Sequence, residues 1–310
     1  MPTPTNATAD CAVAAPSDQS PFNGLWIALV TPFKDGAVDH PALSALTARL
    51  RADGVSGFVA CGSTGEAAAL DKAEQLQVLH TVLEAAQGLP VVMGVSGYHQ
   101  GEVLAQVRAL AELPLAGILV SAPPYIRPSQ EGLLHWFRAI ADASTVPVVL
   151  YDIPYRTGAT LTTETLLALA THPRIQAVKD CGGNTSKTQA LIADGRLQVL
   201  TGEDAQIFNT LALGGTGAIS ACAHWQAPRF VELMDWMRAG NLPEARRVWQ
   251  ALQPWVEACF AEPNPAPLKA VLAQAGWMRN ELRAPMMPAS KALEQRLRVT
   301  LGAPTENSSR

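Results

Sequence analysis

One of the six lysines in this chain stands where an amine could do chemistry. Lys179 closes a mostly apolar run, Ile175-Gln176-Ala177-Val178, whereas Lys34, Lys72, Lys187, Lys269 and Lys291 fall in loops or in polar helical patterns. Burial at the end of a strand disfavours an ammonium and lowers its pKa from about 10.4. The free amine can then attack a carbonyl carbon and form a Schiff base. An ion pair with Asp180 or Glu203 suits the same position, so residue type alone leaves both uses open. Gly62-Ser63-Thr64-Gly65-Glu66 follows a second apolar run and joins small residues to two hydroxyls, which lets backbone amides and O–H groups approach a carboxylate. An ordinary turn capping the next helix is the other reading. Tyr151 ends a third run with a phenol. Arg156, in Tyr151-Asp152-Ile153-Pro154-Tyr155-Arg156-Thr157-Gly158, can grip a carboxylate bidentately or pair at the surface. His99 and His224 have no companion at metal-ligand spacing, and Cys11, Cys61, Cys181, Cys222 and Cys259 form no CxxC pair. No metal site is expected, and the thiols read as reduced, as in the cytoplasm.

The elements that must position these groups repeat along the chain. Short apolar runs at 26–30, 56–60, 91–95, 117–121, 148–151, 175–179, 198–201 and 217–220 alternate with helical patterns at 42–52, 72–86, 101–112, 129–143, 163–170, 185–193, 205–212 and 228–239. Runs that are apolar throughout suit parallel strands covered on both faces. Eight βα repeats in about 220 residues predict an α/β fold, a (β/α)8 TIM barrel, and no GxGxxG supports the competing doubly wound sheet. Barrel enzymes act at the C-terminal ends of their strands, where Lys179, Tyr151 and Ser63-Thr64 fall. Gly214-Gly215-Thr216-Gly217 precedes the last run and reads as a tight turn on the opposite face. Beyond 240 only helical period remains, at 243–261, 266–275 and 288–301. The expected organisation is a disordered tail at 1–20, the barrel at 21–240, a C-terminal helical appendage at 241–302 and a disordered tail at 303–310.

Composition narrows the function classes. The 310 residues are 48% hydrophobic and 16% charged, enough to bury a large core. A net charge of −4 lacks the basic excess that nucleic acid requires. No apolar run approaches the roughly 20 residues of a membrane span, and 1–20 has no secretory h-region. A soluble cytoplasmic enzyme is the reading.

Taken together, these strand ends resemble the pyruvate-dependent class I aldolases of the dihydrodipicolinate synthase and N-acetylneuraminate lyase superfamily. The resemblance runs from about Gly24 to Pro288. It rests on Ala28-Leu29-Val30-Thr31-Pro32-Phe33, the Gly62 to Glu66 loop, the segment from Pro124-Tyr125 to Gly132, the Tyr151 to Gly158 motif, Val178-Lys179, and Glu262-Pro263-Asn264-Pro265 running on to Lys269. It implies that Lys179 forms the Schiff base with pyruvate, so that no separate cofactor is needed. It further implies that Ser63 and Thr64 hold the pyruvate carboxylate, and that Gly202 and Ile219 line the same site. A proton relay falls on Tyr151, Thr64 and Tyr125, the last reaching in from a neighbouring subunit, which implies a homo-oligomer, commonly a tetramer built from dimers. Arg156 matches the arginine that binds the carboxylate of aspartate semialdehyde in the synthase branch, whose product is 4-hydroxy-tetrahydrodipicolinate.

The chain departs from that pattern at Asp152, Asp180 and Pro124, where the synthases usually carry Asn, Glu and an aromatic residue. An added carboxylate at Asp152 is expected to weaken attraction for an anionic aldehyde. Two other readings therefore stand beside the synthase: an aldolase or dehydratase acting on a 2-keto-3-deoxy sugar acid, and a non-catalytic protein that binds a keto acid.

Overall fold

The computed structural model describes residues 21–301. The tails expected at 1–20 and 303–310, and Cys11, lie outside those residues. Eight parallel strands close a barrel: β1 Gly24–Ala28, β2 Gly57–Ala60, β3 Val91–Val95, β4 Gly117–Ser121, β5 Val148–Asp152, β6 Ile175–Asp180, β7 Gln198–Thr201 and β8 Gly217–Ser220. Closure is direct, because β1 pairs with both β8 and β2. All eight expected strands and all eight expected helices between and after them are present, with shifts at their ends. The first strand starts earlier than 26 because Gly24 to Ile27 pair in register with Gly217 to Ser220. It stops before 30 because the Val30 N–H leaves the sheet and donates to His224 Nε2 at 3.2 Å.

Side chains alternate across a strand, so every barrel strand has an inner and an outer row. Trp26, Val59, Val92, Leu119, Val149, Ala177, Leu200 and Ile219 fill the interior with Phe22, and Tyr151 and Cys181 join the same inner cluster. The outer row, including Ile27, Phe58, Val178 and Val199, packs under the helices. The register Tyr151↔Lys179 and Asp152↔Asp180 then sorts the polar strand ends into opposite rows: Tyr151 and Lys179 inward, both aspartates outward.

Local signals hold the helices where expected. Asp71 and Glu74 form a reciprocal capping box on Lys72–Ala86, and the Ser129 hydroxyl accepts the Gly132 N–H at the start of Gln130–Ala143. A hairpin of Phe33–Lys34 with Ala37–Val38 and the helical turn Pro154–Thr157 were not expected; elements of two to four residues are too short to show a period. The C-terminal helices Leu242–Cys259, Ala266–Gln274 and Lys291–Leu301 are tied to the barrel. Trp255 Nε1 donates to the Cys222 carbonyl at 2.9 Å in a buried contact, and Val256, Phe260 and Asn264 wall the cavity at the C-terminal ends of the strands. Among the described residues no helix is long and apolar enough to cross a membrane.

Candidate active site

A cavity of about 530 Å³ opens over the C-terminal strand ends and is lined by Lys179, Tyr151, Ser63, Thr64, Arg156, Gly202 and Ile219. It gathers seven of the eight site residues expected from sequence. Lys179 is 5% exposed, with its Nζ 4.5 Å from the centroid of the Tyr151 ring. Burial pulls its pKa below the ordinary lysine value, opposed by the nearby carboxylates of Asp204 and Glu203. The expectation that the other lysines sit in polar surroundings fails for two of them. Lys187 and Lys269 are also buried, but Lys187 is ion-paired with Asp152 and Lys269 with Glu66. Lys179 is the one buried lysine among the described residues that makes no ion pair. Asp180, one of its possible partners, is occupied on the outer face, accepting the Gly182 N–H at 2.8 Å and the Thr188 hydroxyl at 2.6 Å. A buried amine without a carboxylate partner is poised to be uncharged, the form that attacks carbonyls.

The Ser63 hydroxyl lies beside the Tyr151 phenol and opposes the effect of burial, which still raises the phenol pKa well above 10, so the phenol stays protonated. Thr64 is turned differently: its Oγ1 accepts a hydrogen bond from Asn264 Nδ2 at 2.9 Å. The resemblance put Thr64 beside Tyr151 in the relay; here the hydroxyl that meets Tyr151 is that of Ser63, because adjacent residues of the turn project to different sides. The Gly202 N–H donates to the Asp180 carbonyl at 2.8 Å, which leaves its carbonyl as the group available to a ligand. A Cβ at this position would fall on Lys179 Cε and Cys181 Sγ, so the lysine side chain can cross the cavity floor only over a glycine.

Arg156 is exposed at the cavity rim on the turn Pro154–Thr157, its guanidinium carbon 5.9 Å from the Tyr155 ring centroid, and among the described residues it has no ion pair. Its guanidinium is free to take an anionic ligand. A second cavity of about 170 Å³ beside it shares Ser63, Tyr151 and Arg156. Tyr125 lies outside the cavity of its own chain; it is 90% exposed and held at φ +76°.

Asp152 corrects an expectation. Its carboxylate does not face the aldehyde end of the cavity: it is 1% exposed on the outer row, paired with Lys187 and accepting the Leu161 N–H at 3.2 Å. Its charge is matched, so it does not repel an anion at the rim. Asp152→Asn should leave Lys187 buried and unpaired and destabilise the fold by about 3–5 kcal/mol in chemical denaturation. The steady-state constants should stay close to those of the parent. Adding Lys187→Met should restore most of the stability; a large change in the aldehyde KM in either variant would return Asp152 to the site.

Asp204, at the end of β7, is buried and accepts the N–H groups of Ala221 and Cys222 at 3.1 and 3.4 Å. Burial pushes its pKa up to about 6. It lies near enough to Lys179 for the two to bias each other's charge. Asp204 and Asn264 are participants to which the sequence assigns no role, although Asn264 stands in the motif that runs from Glu262 to Lys269. Nothing in a sequence signals that Asn264 meets Thr64 across 200 positions.

A sequence profile of the Dihydrodipicolinate synthetase family matches residues 21–303. This chain belongs to the dihydrodipicolinate synthetase family. It is 38% identical over 287 residues to a 4-hydroxy-tetrahydrodipicolinate synthase of Limosilactobacillus fermentum, covering 91% of this chain and 92% of that protein. It is 40% identical over 285 residues to one of Sorangium cellulosum, covering 90% and 95%. The dihydrodipicolinate synthase structure from Thermotoga maritima superposes with a TM-score of 0.88 at 31% identity, covering 91% of this chain and 98% of that one. A monomeric dihydrodipicolinate synthase variant superposes equally well, with a TM-score of 0.88 at 31% identity, covering 91% and 96%.

Within this dihydrodipicolinate synthetase barrel the remaining polar groups singled out from sequence are structural. His224 is fully buried, receives the Val30 N–H and bonds to the Ala221 carbonyl at 2.7 Å; burial lowers its pKa to about 4 and keeps it neutral. Cys61, Cys181, Cys222 and Cys259 are free and buried, and burial raises each thiol pKa, Cys61 to about 12. Thiols held in that form pack as small apolar groups and are poor nucleophiles. The Gly214 to Gly217 turn lies at the N-terminal end of β8, where Thr216 bonds to Val199 and Gly24, on the face away from the cavity.

Proposed function

We propose that this chain condenses pyruvate with aspartate semialdehyde to 4-hydroxy-tetrahydrodipicolinate through a Schiff base on Lys179. The observation that carries the reading is the buried Lys179 amine, unpaired at the floor of a cavity whose rim holds the unpaired Arg156. Lys179 attacks the ketone carbon of pyruvate and water leaves, giving an imine that is protonated in the site. Ser63 and Thr64 donate to the pyruvate carboxylate. The protonated imine is the electron sink for loss of a methyl proton, so the enamine forms without a further cofactor. Tyr151, a neutral phenol beside Ser63, hands protons to and from the reacting atoms. The enamine carbon then attacks the aldehyde, whose carboxylate Arg156 holds bidentately. Ring closure releases the product and returns the Lys179 amine.

Tyr125 can complete the relay only when a second copy presents it, which makes the working unit at least a dimer and, on this reading, a tetramer built from two dimers. Sedimentation of the parent and of Tyr125→Ala tests this: a fully active monomer would remove Tyr125 from the relay. We place the enzyme in the cytoplasm, where its buried thiols stay reduced. A sugar-acid aldolase would need hydroxyl-binding groups where Arg156 stands, and a mere keto-acid binder has no use for an unpaired buried amine.

Borohydride reduction in the presence of pyruvate should add a stable adduct at Lys179, seen by mass spectrometry, and a screen of aldehydes should then find aspartate semialdehyde as the acceptor. Turnover of 2-keto-3-deoxy sugar acids without any condensation would sink the synthase reading. The charge balance of the imine gives a pH test. Asp204 is the buried negative charge beside the cation that forms on Lys179, and its carboxyl gains a proton as pH falls through about 6. Adduct yield at fixed subsaturating pyruvate should therefore drop between pH 7 and pH 5. Asp204→Asn should lower the yield at pH 7 and flatten that drop; an unchanged pH profile in the variant would show that the acid limb belongs to another group.

A further inference from the structure

The geometry points to Asn264 as a positioning residue that turns the Thr64 hydroxyl into a donor aimed at the substrate carboxylate. The inference rests on the pyruvate reading given above. The loop from Gly62 to Glu66 does not hold its shape alone: Glu66 sits at φ +53°, a left-handed conformation that a residue with a side chain keeps only when its surroundings impose it. Three consecutive residues of the loop are gripped from outside. The Thr31 hydroxyl donates to the Gly65 carbonyl at 2.7 Å. Glu66 is ion-paired with Lys269, which is 0% exposed, and receives the Arg283 N–H at 3.1 Å. Asn264 Nδ2 donates to Thr64 Oγ1 at 2.9 Å. Two of these three grips come from the C-terminal helical region.

The hydrogen-bond direction gives the Asn264 contact a chemical meaning. A threonine hydroxyl has one proton to donate and two lone pairs. With one lone pair occupied by the Asn264 amide, the Thr64 proton points elsewhere, and both Thr64 and Asn264 line the cavity that holds Lys179. A carboxylate is an acceptor only, so it binds a hydroxyl that is held as a donor better than one free to rotate. Asn264 Oδ1 is itself buried and without a partner among the described residues, as expected of an amide whose orientation is set by Thr64 rather than by its own acceptor.

The test is the pyruvate concentration that half-saturates borohydride trapping, measured on the full chain, with the trapping rate at saturating pyruvate as a second reading. Asn264→Ala should raise the half-saturating concentration by about 10-fold while the saturated rate stays nearly unchanged, the split expected of an effect on carboxylate binding alone. Asn264→Asp keeps the shape but offers only acceptors when ionised, and should shift it in the same direction. In a Thr64→Ala background, Asn264→Ala should add less than about twofold, because the residue acts through Thr64. Unchanged half-saturation in Asn264→Asp would mean that Thr64 donates to Asn264, and additive effects in the double variant would mean that Asn264 acts without Thr64; either overturns the inference alone. A parent chain that forms no pyruvate adduct overturns the pyruvate reading and this inference with it.

Discussion

Lys179→Ala is expected to abolish the borohydride-trapped pyruvate adduct and to lower turnover by at least about 10⁴-fold. No other group can replace the amine. Lys187 and Lys269 are equally buried, but each is neutralised by a carboxylate, and neither lines the cavity. Stability supplies a second reading with the opposite sign. A lysine whose folded pKa is lowered binds its proton more weakly in the folded than in the unfolded state. Its presence therefore costs stability below the unfolded pKa, and the cost grows as pH falls toward the folded value. Lys179→Met, which fills the same space without the amine, should raise the melting temperature at neutral pH while remaining inactive. A lysine kept only for structure would give the reverse, a fall in melting temperature with activity retained. An adduct that persists in Lys179→Ala would move the Schiff base to another residue.

Arg156→Ala is the second large effect. Pyruvate should still trap on Lys179 with nearly parental half-saturation, while kcat/KM for aspartate semialdehyde falls by about 10- to 100-fold, the worth of a charge-assisted hydrogen-bonded pair at a half-open site. Arg156→Lys should recover only part of the loss, since an ammonium cannot reproduce the bidentate fork. The guanidinium stands at the rim with no carboxylate partner among the described residues, so removing it leaves no buried charge behind and the fold should be untouched. Loss of pyruvate trapping in Arg156→Ala, with condensation of the residual adduct unimpaired, would reverse the assignment of the two subsites. Together the two variants separate imine formation from aldehyde capture.

Much of this site was legible in one dimension because barrel strands announce themselves. Runs that are apolar throughout, spaced by helical segments, locate the strand ends, and in this fold the strand ends are the site. Lys179, Tyr151, the Ser63-Thr64 pair and Arg156 could be named from residue type and place, and the family resemblance added Gly202, Ile219 and Tyr125. The phase of a strand is what such a pattern leaves out. Asp152 follows Tyr151 and is expected from its place alone to add a charge at the substrate end, but side chains one position apart face opposite sides of the sheet, so it lies outside the barrel with Lys187.

The sequence by itself determined the barrel, its strand ends and the presence of an amine at one of them, because period and apolar content are local properties of a chain. The tertiary structure decided which lysine is left unpaired. Asp152 meets Lys187 across 35 positions and Glu66 meets Lys269 from the far end of the chain, and both encounters depend on how helices settle onto the barrel. It also decided which hydroxyl faces Tyr151 and which is held by Asn264, since a hydroxyl's direction follows from the partners that packing brings within 3 Å of it. Local pattern chooses the elements; charge neutralisation and hydrogen-bond direction arise only once distant parts of the chain share the same few ångströms.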